Sequence, residues 1–173
     1  MVAYDPEWAE WFAAEVARLR AALVPWLAPE GVEHVGSTAV PGLKAKPIVD
    51  MVAAVRSLNE AREGFSALEA LGYRHRPHRP EAHFFVRDGY GVHLTEPDSD
   101  LWRERVAFRD ALRASAALRA EYAAWKDAHF VGGERNYNAD KGPLVQRVLA
   151  GRGVPLKPDD ERLEPAALER RRR

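Results

Sequence analysis

The stretch Gly36-Ser37-Thr38-Ala39-Val40-Pro41-Gly42-Leu43-Lys44-Ala45-Lys46-Pro47-Ile48-Val49-Asp50 decides how this chain is read. It joins two apolar segments, Gly31 to Val35 and Ile48 to Val55. The second is a continuous apolar run with β-branched residues, interrupted only by Asp50 and two alanines. Such a run predicts a buried central strand. A Gly-Ser turn after a strand exposes backbone N–H groups that can cradle phosphate. Lys46 can pair with phosphate as a point charge, and Asp50 on the adjacent strand can hold a divalent cation. The plainer alternatives are a strand-to-helix turn capped by Ser37 or Thr38, and a solvent-exposed Lys46 before its proline. For Asp50 the alternative is a buried acid satisfied by local N–H groups, which is costly inside an apolar run.

Working outward, Asp5-Pro6-Glu7 predicts a helix start, with a capping acid, a proline in the first turn and a second acid at the positive end of the dipole. Trp8, Trp11, Phe12, Val16, Leu19 and Leu23 then recur at helical spacing, and Pro25 and Pro29 end the helix. The first strand is expected over Gly31 to Val35. Asn59 to Leu71 reads as a helix closed by Gly72, and Tyr73 to Pro80 as a mobile basic loop covering a cleft. Asp88-Gly89, flanked by His83 to Arg87 and Tyr90 to Thr95, predicts a β-hairpin. Helices follow over Asp98 to Ala114, Ala117 to His129 and Asn138 to Ala150, where Gly142-Pro143 blurs the start. The order predicts an α+β fold, a small mixed sheet with helices on it and a C-terminal helical part. Residues 1–153 are expected to form a single domain and 154–173 a charged, flexible tail.

The chain has 173 residues, 46% hydrophobic and 30% charged, enough apolar material for one core. Lys+Arg and Asp+Glu both number 26, and this zero net charge argues against nucleic acid as a partner. Without cysteine there is no disulfide, thiolate metal site or Cys nucleophile. No apolar run approaches the roughly 20 residues of a membrane span, and the N-terminus lacks the features of a signal peptide. A cytoplasmic protein with no membrane partner is expected. The tryptophans, mostly at helical spacing, are expected in the core.

The segment Glu33 to Asp50 resembles the signature of the GrpB family. Val92-His93-Leu94, Phe108-Arg109-Asp110-Ala111-Leu112-Arg113, and Arg135-Asn136-Tyr137 followed by Lys141 agree with it in order, so the resemblance runs over about residues 4 to 150. It implies a nucleotidyltransferase-like fold of the DNA polymerase β type. Because GrpB-like domains are sometimes joined to dephospho-coenzyme A kinase, it also implies a link to coenzyme A metabolism. In working nucleotidyltransferases of this fold the Gly-Ser turn is followed by a strand carrying two acids, two residues apart, that share two metal ions. Ser37 and Asp50, with twelve residues between them, suit that pattern, but the partner position holds Val52.

The expected site therefore has one carboxylate, Asp50, as metal ligand and catalytic residue, with Mg2+ as the implied ion. His93 lies between Val92 and Leu94 and must face away from those apolar neighbours, which makes it a candidate catalytic neighbour of Asp50. Its alternative is a hydrogen-bonded structural histidine. Glu33 and Glu96 are weaker candidates for a second ligand. Gly36, Ser37, Thr38, Lys46, Arg109, Arg135, Tyr137 and Lys141 are the expected phosphate or nucleotide contacts. Arg105, Arg109 and Arg113 form a helical stripe that would ordinarily be a solvated face, from which Arg109 is singled out by the resemblance. Two functions follow: a nucleotide- or phosphate-ligand-binding protein with Mg2+-dependent nucleotidyl or phosphoryl transfer, or a catalytically degenerate binding or partner module of the same fold.

Overall fold

The computed structural model describes residues 1–76, 79–129 and 134–155, with side chains throughout except at 134–141. Five helices and five strands occur in the order α1 (Glu7–Leu23), β1 (Leu27–Val35), β2 (Val49–Val55), α2 (Phe65–Ala70), β3 (Arg74–Arg76), β4 (Ala82–Arg87), β5 (Tyr90–Thr95), α3 (Asp100–Ala114), α4 (Ala116–His129) and α5 (Glu134–Ala150). The sheet order is β1-β2-β5-β4-β3. All neighbours are antiparallel except β2 and β5, which run parallel. This is the mixed α+β architecture expected.

The strand alternation sorts the sheet into two faces. Val32 of β1, Met51 and Ala53 of β2, Val92 and Leu94 of β5 and Phe85 of β4 belong to the main core, with Trp8, Leu19 and Leu23 of α1 and Leu68 of α2. The opposite face carries Val35, Val52 and Ala82, which meet Leu101, Trp102 and Val106 of α3. The C-terminal half of α3 leaves the sheet. Its Phe108 and Leu112 join Tyr122 of α4, Leu144, Val145 and Leu149 of α5, and Val40 and Leu43 of the 36–48 loop. The helical part is thus built on that loop as much as on the sheet.

Several boundaries differ from expectation. β1 begins at Leu27 rather than Gly31 and includes Pro29. Its register with β2 is interrupted between Leu27 and Val32, and β1 is an edge strand, where a residue without an N–H is tolerated. The helix expected over Asn59 to Leu71 is a 3-10 turn (Glu60–Gly64) followed by the short α2. There Gly64 lies so close to Trp26 that a Cβ would come within 2.8 Å of the indole. Within the expected basic loop, Arg74–Arg76 form the edge strand β3. Arg79 is tied to Glu104 of α3 through two hydrogen bonds of 2.9 and 3.3 Å, so this end of the segment is anchored. Pro77 and His78 lie outside the described residues. The hairpin closes at Asp88-Gly89, with Arg87 opposite Tyr90 and Gly89 at φ +74°. α5 starts before Asn138 and runs through Pro143, because burial of Leu144, Val145 and Leu149 outweighs the lost hydrogen bond. The expected tail from residue 156 onward lies outside the described residues. Trp8 is buried as expected, and Trp11, Trp26, Trp102 and Trp125 pack partly buried against the clusters.

One buried charge network fastens α1 to the sheet. Glu15 is 2% exposed, accepts a 2.9 Å hydrogen bond from the Tyr73 hydroxyl and pairs with Arg87. Burial, reinforced by the Glu15 charge, pushes the Tyr73 phenol above its usual range. Removing one member leaves the others desolvated without compensation. Glu15→Ala is therefore expected to destabilise the protein by about 3 kcal/mol, measured by urea unfolding with an unchanged m-value.

Candidate functional site

Asp50 is the second residue of β2, opposite Val35 on one side and Gly91 on the other. Its side chain is half-buried and belongs to the sheet face covered by α3. The chain enters it from the turn after β1, where Gly36 takes φ +73°. A Cβ on Gly36 would lie 2.8 Å from Asp50 Oδ2, and one on Gly91 would lie 3.1 Å from Asp50 Oδ1. The carboxylate therefore sits between two bare backbones, and a side chain at either position would collide with it. The positive φ at Gly36 independently disfavours any other residue.

Register brings His93 beside Val52 on this same face, diagonal to Asp50 across the parallel pair, as the alternation of Val92, His93 and Leu94 predicts. His93 is 4% exposed and stacks on Phe84 with ring centroids 4.2 Å apart and planes 14° from parallel. Val52 is fully buried among Val35, Ala82 and Leu101. Glu33 shares the face but is held by Arg109. Glu96 lies past the far end of β5, where it accepts the Leu58 N–H at 3.1 Å. Among the described residues no group of three or more His, Asp or Glu side chains is placed to hold a metal ion. The donors among the described residues do not fit a two-metal centre.

The turn divides its hydroxyls between two tasks. Thr38 is buried, donates to the Ile48 carbonyl at 3.0 Å and lies 3.0 Å from His34 Nε2. Having one proton, already given to Ile48, Thr38 must accept from His34, so His34 carries its proton on Nε2. Ser37 is half-buried, beside Gly36, and accepts a 3.0 Å hydrogen bond from Lys126 Nζ. Lys46 is half-buried in the approach to β2. Arg109 is 7% exposed and committed to protein partners: Glu33, the His34 carbonyl at 2.9 Å and Asp110 at 2.8 Å. Burial works against its charge, and the hydrogen bonds it donates to Asp110 and Glu33 outweigh that, so its pKa is raised. Arg113, one turn on, donates to the Ala39 carbonyl at 2.8 Å. The arginine stripe thus fastens α3 to β1 and the turn; it is not a solvated face at Arg109. The side chains of Arg135, Tyr137 and Lys141 lie outside those described.

The family model described as GrpB protein matches residues 1–151. The chain belongs to the GrpB family. It is 42% identical to a UPF0157 protein of Streptomyces coelicolor over 130 residues, 73% of this chain and 68% of that one. It is 36% identical to a UPF0157 protein of Pseudomonas aeruginosa over 162 residues, 84% of this chain and 64% of that one, so the match spans about two thirds of these relatives. The crystal structure of GrpB from Enterococcus faecalis superposes with a TM-score of 0.74 at 24% identity, covering 87% of this chain and 94% of that one, and supports the fold.

Two residues of this GrpB chain escaped the sequence reading. Lys126 of α4 is fully buried, donates to Ser37 Oγ and to the Lys44 carbonyl, and lies 5.3 Å from the centre of the Tyr122 ring. Next to it Asp127 pairs with Lys44, so α4 grips the loop at both of its polar ends. The available signal was spacing: Leu118, Tyr122 and Lys126 lie four apart, which puts a lysine on a buried stripe. The other is His34, buried and stacked on Phe12 with centroids 4.7 Å apart. Burial first, then the charges of Arg113 and Arg109, lower its pKa to about 4.

A neutral His34 has a consequence for stability. The folded protein resists a proton that the unfolded chain takes up near pH 6.5, so the contribution is complete above that pH and is lost as pH falls toward 4. The effect amounts to about 3 kcal/mol at most. Denaturant unfolding across this window should show stability falling with acidity. His34→Gln, which keeps a donor for Thr38 and does not titrate, should flatten the slope.

Proposed function

We propose that this protein binds a nucleotide or another phosphorylated small molecule at the turn formed by Gly36 and Ser37. The observation that carries this reading is the pair of bare glycine backbones against the Asp50 carboxylate, at the sheet end where the turn follows β1. The glycines make room for the acid itself and hold its carboxylate at the sheet end beside the turn, where it can meet the ion that accompanies a phosphate. Lys46 enters the proposal from the sequence, as a positive charge in the segment that leads into β2. Arg135, Tyr137 and Lys141 enter the proposal from the sequence alone. Thr38 and Arg109 support the turn from behind, Thr38 through Ile48 and Arg109 through the backbone of β1. Asp50 together with the ligand's own phosphates is a donor set for a single Mg2+. His93 is the neighbouring side chain in a position to orient groups around that acid.

The second reading, a binding module without transfer chemistry, has its own support. Val52, where a second acid would stand, is sealed into the apolar contact with α3. Nucleotidyl or phosphoryl transfer through paired ions would need that position to be acidic.

One experiment addresses both. Calorimetry with a panel of nucleoside phosphates and coenzyme A precursors, with and without Mg2+, is expected to find a ligand whose affinity falls at least about tenfold in Asp50→Ala, as loss of a charged contact should produce. Absence of any ligand in the panel, or equal affinity of the variant, would rule out a site at Asp50. Chromatography of the bound ligand separates the two readings. Asp50-dependent conversion speaks for transfer, and intact ligand bound irrespective of Mg2+ speaks for the module.

A further inference from the structure

Lys126 is the fully buried lysine of α4, and it donates to the Ser37 hydroxyl of the turn. An ammonium group has donors only, so Ser37 Oγ must accept from it. That acceptance uses a lone pair and leaves the Ser37 proton to be given elsewhere. Thr38, the adjacent hydroxyl, shows the opposite arrangement, with its proton turned inward onto the Ile48 carbonyl. We propose that Lys126 is the positioning residue that makes Ser37 an obligate hydrogen-bond donor to a phosphate oxygen. The inference rests on the phosphate-binding reading of the Gly36-Ser37 turn and adds to it the device that sets the turn's polarity.

Three features favour this over a purely structural lysine. A serine alone can rotate between donating and accepting, so it discriminates poorly between an anion and a neutral acceptor or water. A lysine behind it takes up one lone pair and so favours donation outward, and in its ammonium form it places positive charge, shielded from solvent, next to the oxygen that donates. Lys126 is also held in place. Its second hydrogen bond goes to the Lys44 carbonyl, and Asp127 anchors the neighbouring Lys44 side chain, so the ammonium cannot swing toward solvent without releasing the loop. The same arrangement bears on the absent second acid. With Val52 in the core contact, positive charge beside the turn comes from an amino acid rather than a second ion. The ligand class that fits is a phosphate or pyrophosphate group whose affinity for the Ser37 subsite does not require a metal.

The test is binding of inorganic pyrophosphate in the absence of divalent cations. Ser37→Ala, a small change at a half-buried position, should weaken binding roughly tenfold or more, the usual cost of losing a hydrogen bond to a charged group. Lys126→Met should weaken it by a similar factor, and the double variant no further, because Lys126 acts through Ser37. Wild-type affinity in Ser37→Ala, or a double variant far weaker than either single one, would overturn the inference. Should Lys126→Met fail to fold, 15N spectra of the lysine ammonium groups decide. The Lys126 resonance is expected to shift on pyrophosphate addition in the wild type and to stay put in Ser37→Ala; an unmoved wild-type resonance at saturating pyrophosphate also overturns it. A wild type that binds neither pyrophosphate nor any nucleotide overturns the phosphate-binding reading itself. Binding that survives both substitutions overturns only the role given to Lys126.

Discussion

The parallel register of β2 on β5 is the constraint on which the rest of the molecule depends. These strands are separated in the chain by α2, β3 and β4, yet Asp50 lies against Gly91 and Val52 against His93. Parallel pairing cannot be made by a tight turn, so the whole intervening segment exists to return the chain in the right direction. Side chains alternate between faces, so a slip of β2 by one residue would turn Asp50 into the main core and carry Met51 out of it to the face under α3. The apolar content of the α1 side forbids that slip, and in doing so it holds the acid and its two glycines on the side of α3.

The helical part is then read as a clamp. The first half of α3 covers the sheet, while its second half, with α4 and α5, closes over Val40 and Leu43. Arg109 and Arg113 tie α3 to the backbone at His34 and Ala39, and α4 ties the loop through Lys44 and Lys126. The turn after β1 is short and carries a glycine at positive φ, so little in its own sequence would hold it in one shape. Its conformation comes from these polar contacts at long sequence separation.

Much of this was legible in the chain because it is local. Gly36, Ser37 and Asp50 lie in one segment, the alternation around His93 assigns its face, and Asp88-Gly89 announces the hairpin. The family signature covers the same ground, and the comparisons agree with it. What could not be read depends on contacts between distant elements. Nothing near Arg109 says that its charge is spent on Glu33 and a carbonyl, and nothing near Lys126 says that it reaches Ser37. Pro29 and the Arg74–Arg76 segment were misplaced for a related reason. Local propensity marks a proline and a basic His/Arg run as loop, whereas a strand needs only one partner at the edge of a sheet and takes both.

Those two edges matter beyond architecture. The chain carries no net charge, so long-range repulsion does little to keep copies apart. A sheet with two open sides would then be an invitation for strands to add from one molecule to the next. β1 meets this with a proline and an interrupted register, and β3 with only three residues, all exposed, two of them arginines. Each edge is a poor template for another backbone. The irregularities that made these strands hard to recognise thus guard a neutral protein against growing into a ribbon.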